Sequence, residues 1–142
     1  MTPPPEDRQT ATAELVRRGI PGGAAHLALV RRELRAWAAT VGLSVQDIDG
    51  LLLASYEALA NAAEHAYSGD GPRLVDLVAT QHSGGYVQVV VQDYGSWRPE
   101  PADPGFRGRG LVMIRNLAHD AEIRKEAEGT TVVMRWRLTP DR

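Results

Sequence analysis

The stretch Arg73-Leu74-Val75-Asp76-Leu77-Val78-Ala79-Thr80, followed by Gln81-His82, Ser83-Gly84-Gly85 and Tyr86-Val87-Gln88-Val89-Val90-Val91-Gln92, decides the architecture. Its first part is rich in Leu and Val. Its last part alternates: Val87, Val89 and Val91 fall on one face, and Gln88, Val90 and Gln92 on the other. That is the period of two of a half-buried strand. Two such runs joined by Ser-Gly-Gly predict a β-hairpin. A second hairpin closes the chain, with Ala121–Glu126 pairing with Thr130–Leu138 across Ala127-Glu128-Gly129. In its last strand Val132, Met134, Trp136 and Leu138 share one face, and Val133, Arg135 and Arg137 the other.

Upstream of the first hairpin the period changes. Ala13 to Ile20 fits a short edge strand. After Pro21 and Gly22-Gly23, apolar residues recur at Leu27, Val30, Leu34, Trp37 and Val41, the spacing of an amphipathic helix, with Gly42 placed as its C-terminal cap. Arg31, Arg32 and Arg35 lie off that stripe. Ser44 is placed to cap a second helix, with Asp47 three residues on. This helix runs to about Tyr67, where Ser68-Gly69-Asp70-Gly71-Pro72 breaks it. Between the hairpins, Asp93 to Gly105 carries three prolines and two glycines and predicts a long loop. A third helix is expected to start at Gly108-Arg109-Gly110 and continue through Leu111, Ile114 and Leu117. The order predicts an α+β two-layer sandwich, a mainly antiparallel mixed sheet with helices on one face. Residues 1–12 are expected to be a disordered Pro-rich lead and residues 13–142 a single domain.

Composition removes several classes of function. The formal net charge of −2 gives no general electrostatic grip on nucleic acid. Cysteine is absent, which excludes disulfides, thiolate nucleophiles and Cys-based zinc sites and suits a reducing cytoplasm. No apolar run approaches the ~18–20 residues of a membrane span. The four histidines include no two at ligand spacing on one helix, which disfavours a metal hydrolase. Of the 16 basic residues only Lys125 is a lysine, and it is far from any glycine-rich turn, so neither a P-loop nor a eukaryotic-type kinase site can be built.

Four short segments could carry chemistry. On the second helix, Gly50, Ala54, Glu57, Asn61 and His65 form a stripe opposite Ile48, Leu52, Ser55, Leu59, Ala62 and Ala66. The stripe is either an ordinary solvated face or a ligand surface. The small neighbours Ala58, Ala60, Ala62 and Ala63 leave room for a ligand. Asp93-Tyr94-Gly95 follows a strand and reads either as a turn or as an acceptor for a ligand amino group, with the glycine letting a ring approach. Gly108-Arg109-Gly110-Leu111 is either a hinge or, at a helix N-terminus, an anion site strengthened by Arg107 and Arg109. Gly129-Thr130-Thr131 reads by itself as a hairpin turn.

In this order, Glu57-Ala58-Leu59-Ala60-Asn61-Ala62-Ala63-Glu64-His65-Ala66-Tyr67, Asp93-Tyr94-Gly95, Gly108-Arg109-Gly110-Leu111 and Gly129-Thr130-Thr131-Val132 resemble the N-box, Asp-x-Gly box, second glycine box and Gly-Thr box of the GHKL (Bergerat-fold) ATPases. The chain resembles most their anti-sigma-factor serine kinase branch. The resemblance implies a Bergerat ATP-binding fold using ATP and Mg²⁺. It makes Asn61 the Mg²⁺ ligand and Glu57 the general base. Asp93 becomes the acceptor for the adenine amino group, with Gly95 beside the ring. Thr131, or Thr130, would support Asp93. Gly108 and Gly110 would offer backbone N–H groups to the phosphates, and Arg107 or Arg109 would neutralise γ-phosphate charge. His65 and Leu111 complete the nucleotide-binding set, and the stretch from Ser96 to Arg107 would be the lid. Trp97 departs from the family pattern, standing where a second glycine is common; it would cover the nucleotide or seal the lid.

The resemblance implies a cytoplasmic serine-protein kinase and anti-sigma factor. Such a protein sequesters a sigma factor, phosphorylates an anti-anti-sigma partner, commonly dimerises, and touches neither nucleic acid nor membrane. Two other readings stay open: a nucleotide-binding module that acts by sequestration alone, and a histidine-kinase-type ATPase domain. The presence of both Glu57 and Asn61 favours the kinase.

Overall fold

The first hairpin forms as its alternation requires. In the computed structural model, which describes residues 11–65, 74–94, 104–126 and 129–138, β2 (Leu74–His82) and β3 (Tyr86–Asp93) pair antiparallel from His82↔Tyr86 to Val75↔Asp93. The turn is closed by the Gly85 N–H donating to the His82 carbonyl at 3.0 Å, with Gly85 at φ +87°, a conformation glycine adopts without penalty. Strand β1 (Ala11–Pro21) adds antiparallel to β2, one to two residues longer at each end than the sequence suggests. The second hairpin, β4 (Asp120–Glu126) and β5 (Gly129–Arg137), joins through β5, which pairs antiparallel with β3 from Tyr86↔Arg137 to Gln92↔Thr131. The order is β1-β2-β3-β5-β4, and every described pairing is antiparallel.

One face of this sheet is the core face. Val75, Leu77 and Ala79 of β2, Val87, Val89 and Val91 of β3, and Val132, Met134 and Trp136 of β5 are all buried there. Helices α1 (Ala24–Ala38), α2 (Val45–His65) and α3 (Pro104–Leu117) supply the second layer. Buried Leu27, Val30 and Leu34 follow the predicted stripe of α1, Ala38 is buried beside them, and Trp37 is half-buried. The helix ends earlier than expected, at Ala38; Gly42, at φ +83°, turns the connector beyond it instead of capping the helix. Ser44 caps α2 as expected, its Oγ accepting the Asp47 N–H at 3.1 Å.

Two local expectations are corrected. The third helix begins at Pro104, not at Gly108. Proline is tolerated in a first helical turn because that N–H has no intrahelical partner in any case. The core side of α2 is also turned by roughly 35° from the expected axis at ~100° per residue. Gly50 and Ala54, placed on the open side by the sequence, are buried. The cause is α3, whose C-terminal Leu117 carbonyl lies where a Cβ on Gly50 would meet it at 3.4 Å. The same carbonyl accepts the indole N–H of fully buried Trp136 at 3.0 Å. One of the four unpaired carbonyls of a helix end is thereby satisfied inside the core.

Helix α1 is tied to the sheet edge by Arg17 of β1. Its guanidinium donates from Nε and Nη2 to the two Glu33 carboxylate oxygens at 2.8 and 3.0 Å. This bond holds the Glu33 carboxyl below its ordinary value of 4.5. A lowered carboxylate contributes stability in full above the ordinary value and loses it as pH falls through the lowered one. At one-third exposure of Glu33 the contribution is under about 1 kcal/mol. Glu33→Gln should therefore lower stability slightly near pH 7, measured by urea unfolding, and the gap from the parent chain should close only below pH 4.5.

Candidate functional site

Helix α2 brings the first pair of predicted residues together. Its buried residues, from Gly50 and Leu51 through Ala62 and Ala63, leave Leu53 and Asp49 on the open side. Glu57 and Asn61, one turn apart, are half-buried at the rim between the two. That placement is not a freely solvated face, since the rim residues border the core at Ala54 and Ala58.

The helix lies over β3. Gly50 lies against Trp136, which pairs with Val87 at the start of that strand.

Asp93 is only 2% exposed, an unusual place for a carboxylate. It sits on the core face, in phase with Val89 and Val91. Its Oδ1 accepts the backbone N–H of Thr130 at 3.3 Å. Of the two expected supports, Thr131 or Thr130, it is the Thr130 backbone that makes this contact. Thr131 stands opposite Gln92, in phase with Val133 and Arg135, so strand alternation turns its side chain to the outer face. Thr130 shares the face of Val132 and reaches Asp93 through its backbone. Beside it, Gly129 at φ +148° lets β5 pass so close that a Cβ there would stand 2.0 Å from the Asp93 carbonyl oxygen. The Asp-x-Gly and Gly-Thr segments, 37 residues apart between Asp93 and Thr130, are thus one structural unit.

Other expected residues are placed less fully. The backbone of residues 107–110 is helical, within the early turns of α3. The first-turn N–H groups therefore belong to residues 105–107, while Gly108 and Gly110 lie inside the helix. Leu111 is half-buried on the same helix. Gly95, Trp97, Tyr67 and the lid stretch from Ser96 through Asp103 lie outside the described residues, as do the side chains of His65, Arg107 and Arg109 and the lead before Ala11. Lys125, set aside by its sequence position, is exposed on β4 directly across from Thr130. The sequence reading missed Asp76, which is 8% exposed on the outer face; a single Asp in a Leu/Val strand was the available signal.

Comparisons with known proteins show the family. Residues 20–136 match the Histidine kinase-like ATPase domain family, and the chain belongs to that family. The serine-protein kinase RsbW of Bacillus velezensis is 25% identical over 147 residues, covering 94% of this chain and 91% of that protein. The solved RsbU and RsbW domains of Rv1364c from Mycobacterium tuberculosis superpose with a TM-score of 0.73 at 30% identity, over 89% of this chain and 32% of that one. SiaB-SiaC from Pseudomonas aeruginosa shares the fold alone, with a TM-score of 0.68 at 13% identity over 91% of each chain. The α+β sandwich is the fold of this family. Among the described residues, no helix is long and apolar enough to cross a membrane.

Gly129→Ala tests the close approach. The added methyl would have to displace the Asp93 backbone, and alanine is strained at this φ. Stability should fall by more than about 1 kcal/mol in urea unfolding, and any ligand held by Asp93 should bind more weakly even where the variant is folded.

Proposed function

We propose that this member of the histidine kinase-like ATPase family is an Mg-ATP-dependent protein-serine kinase and an anti-sigma factor. It would act in the cytoplasm, hold a sigma factor and phosphorylate a serine of an anti-anti-sigma partner. One observation carries the reading: Asp93 is a nearly buried carboxylate at the end of β3, fastened to the Gly129–Thr130 turn. Its similarity to the RsbW kinase supports the choice of branch.

In this reading Asp93 accepts from the adenine amino group. A buried carboxylate suits that role, because it is an acceptor only and a mismatched acceptor on a base would meet it unpaired. Asn61 offers a carboxamide oxygen toward the phosphates. Among the described residues no group of three or more His, Asp or Glu could cage a metal. A single oxygen donor is what Mg²⁺ takes from a protein when phosphates and waters complete its shell. The donor set therefore fits Mg²⁺, which when bound would neutralise phosphate charge. Glu57, one turn before Asn61, would take the proton from the partner's serine hydroxyl as it attacks. Arg107 and Arg109, near the start of α3, and the first-turn backbone N–H groups of residues 105–107 would meet the phosphate charge as it moves.

Three substitutions separate these roles. Asp93→Asn should weaken ATP about ten- to a hundredfold by calorimetry, the cost of a lost hydrogen bond with a polar group left unpaired. Asn61→Ala should abolish the Mg²⁺-dependent part of ATP binding and leave the fold intact. Glu57→Gln should keep Mg-ATP affinity, since a base acts in the transition state. Serine phosphorylation of the partner by Glu57→Gln should fall by roughly 10²–10⁴. A parent chain that binds Mg-ATP and sigma factor yet transfers nothing to any serine partner would replace the kinase with a sequestering module.

A further inference from the structure

The outer face of the sheet carries a polar cluster that the reading above does not use. Asp76 of β2 is almost buried there. Its Oδ1 accepts the backbone N–H of Gly19 at 2.8 Å. Its Oδ2 accepts from Arg18 Nη1 at 3.5 Å and from the Tyr94 hydroxyl. The Gly19 contact exists because β1 shifts register between Arg17 and Ile20, where Gly19 adopts φ +65°. The bulge turns that N–H toward Asp76.

The Tyr94 contact lies where the ladder stops. The last β2–β3 register pair is Val75↔Asp93. Beyond it, among the described residues, no further register pair joins β3 to β2. Strand alternation sends Asp93 to the core face and Tyr94 to the outer face. Tyr94 is diagonal to Asp76, within cross-strand reach of a long side chain. The residue is 54% exposed, and its hydroxyl ties it to Asp76. The bond to Asp76 also raises the Tyr94 hydroxyl above its ordinary value, so it stays a donor at neutral pH.

We propose that Tyr94 and Asp76 are positioning residues for nucleotide recognition: together they latch the end of β3 from behind and so set the direction of the Asp93 carboxylate on the front. Asp93 is held on two sides. Gly129 and Thr130 confine it from β5, and the Tyr94–Asp76 bond confines the next residue from β2. With the latch open, the last residue of the strand gains freedom while the core is untouched. The base-reading contact then loses direction. This inference rests on Asp93 reading the adenine amino group.

The test compares ATP with inosine triphosphate, which has a carbonyl oxygen where adenine has its amino group. Both are titrated into the full chain and into Tyr94→Phe, Asp76→Asn, the double variant and Asp93→Asn. Tyr94→Phe removes one part-buried hydroxyl and leaves Asp76 its Gly19 and Arg18 donors, so its melting temperature should stay near that of the parent chain. ATP affinity should fall about tenfold, the order of one hydrogen bond, with the preference for ATP over inosine triphosphate falling in step. The double variant should be no worse than the weaker single variant, as one shared contact requires. Equal loss of both nucleotides, or a lowered melting temperature with selectivity intact, would reduce the pair to a structural contact and overturn the proposal. If Asp93→Asn loses selectivity while Tyr94→Phe keeps it, the latch falls and the adenine reading stands. If Asp93→Asn binds both nucleotides as the parent does, both fall.

Discussion

The pairing of β3 with β5 is the constraint on which the rest depends. Seven register pairs from Tyr86↔Arg137 to Gln92↔Thr131 join segments with α3 and β4 between them. Such a contact costs more loop-closure entropy than either hairpin. The apolar match across it supplies the compensation: Val87 meets Trp136, Val89 meets Met134 and Val91 meets Val132, all buried. Once this register is set, Asp93 has no choice of neighbour. The next residues of β5 are Thr130 and Gly129, and they close on it. A slip of one residue would turn Trp136 out of the core and Asp93 away from the Thr130 N–H together. Packing and the site geometry are therefore selected by the same event.

The second constraint is the contact of α3 with α2. Gly50 and the indole of Trp136 meet the Leu117 carbonyl at one point. This joins two helices and the sheet where no large side chain would fit. It also rotates the core side of α2 so that Glu57 and Asn61 stand at a rim. A carboxylate and a carboxamide at a rim keep access to solvent and to a ligand. Buried by a further turn of the helix, either would need a partner inside the core.

Much of the fold was legible because it rests on local period. The alternation in Tyr86–Gln92 and the spacing of Leu27, Val30 and Leu34 are written in adjacent residues, and the structure follows them. What was not legible depends on contacts between distant segments. Gly50 and Ala54 read as open because a helical wheel knows nothing of α3. Gly42 read as a cap because the end of α1 is fixed by packing, not by the nearest glycine. Pro104 read as a breaker because proline's tolerance in a first turn appears only once the helix start is known. Of the site, Glu57, Asn61 and Asp93 were visible as residue types at motif spacing. The choice of Thr130 over Thr131 was not, since it turns on which face of β5 meets Asp93.

Asp76 and Asp93 show how one chemical group serves two ends in a sheet. They lie on adjacent strands, diagonal in register and on opposite faces. Both are nearly buried, which for a carboxylate demands donors. Asp76 collects them from a bulge, an arginine and a tyrosine, all spent on holding chain to chain. Asp93 takes a backbone N–H from the turn that also crowds its carbonyl. The two are linked through a single peptide, that between Asp93 and Tyr94. A sheet transmits such a link well: its pleat makes neighbouring residues face opposite ways, so fixing one side chain on the back limits the swing of the next on the front. The rigidity of a buried carboxylate on the core face can thus be set by a residue on the outer face.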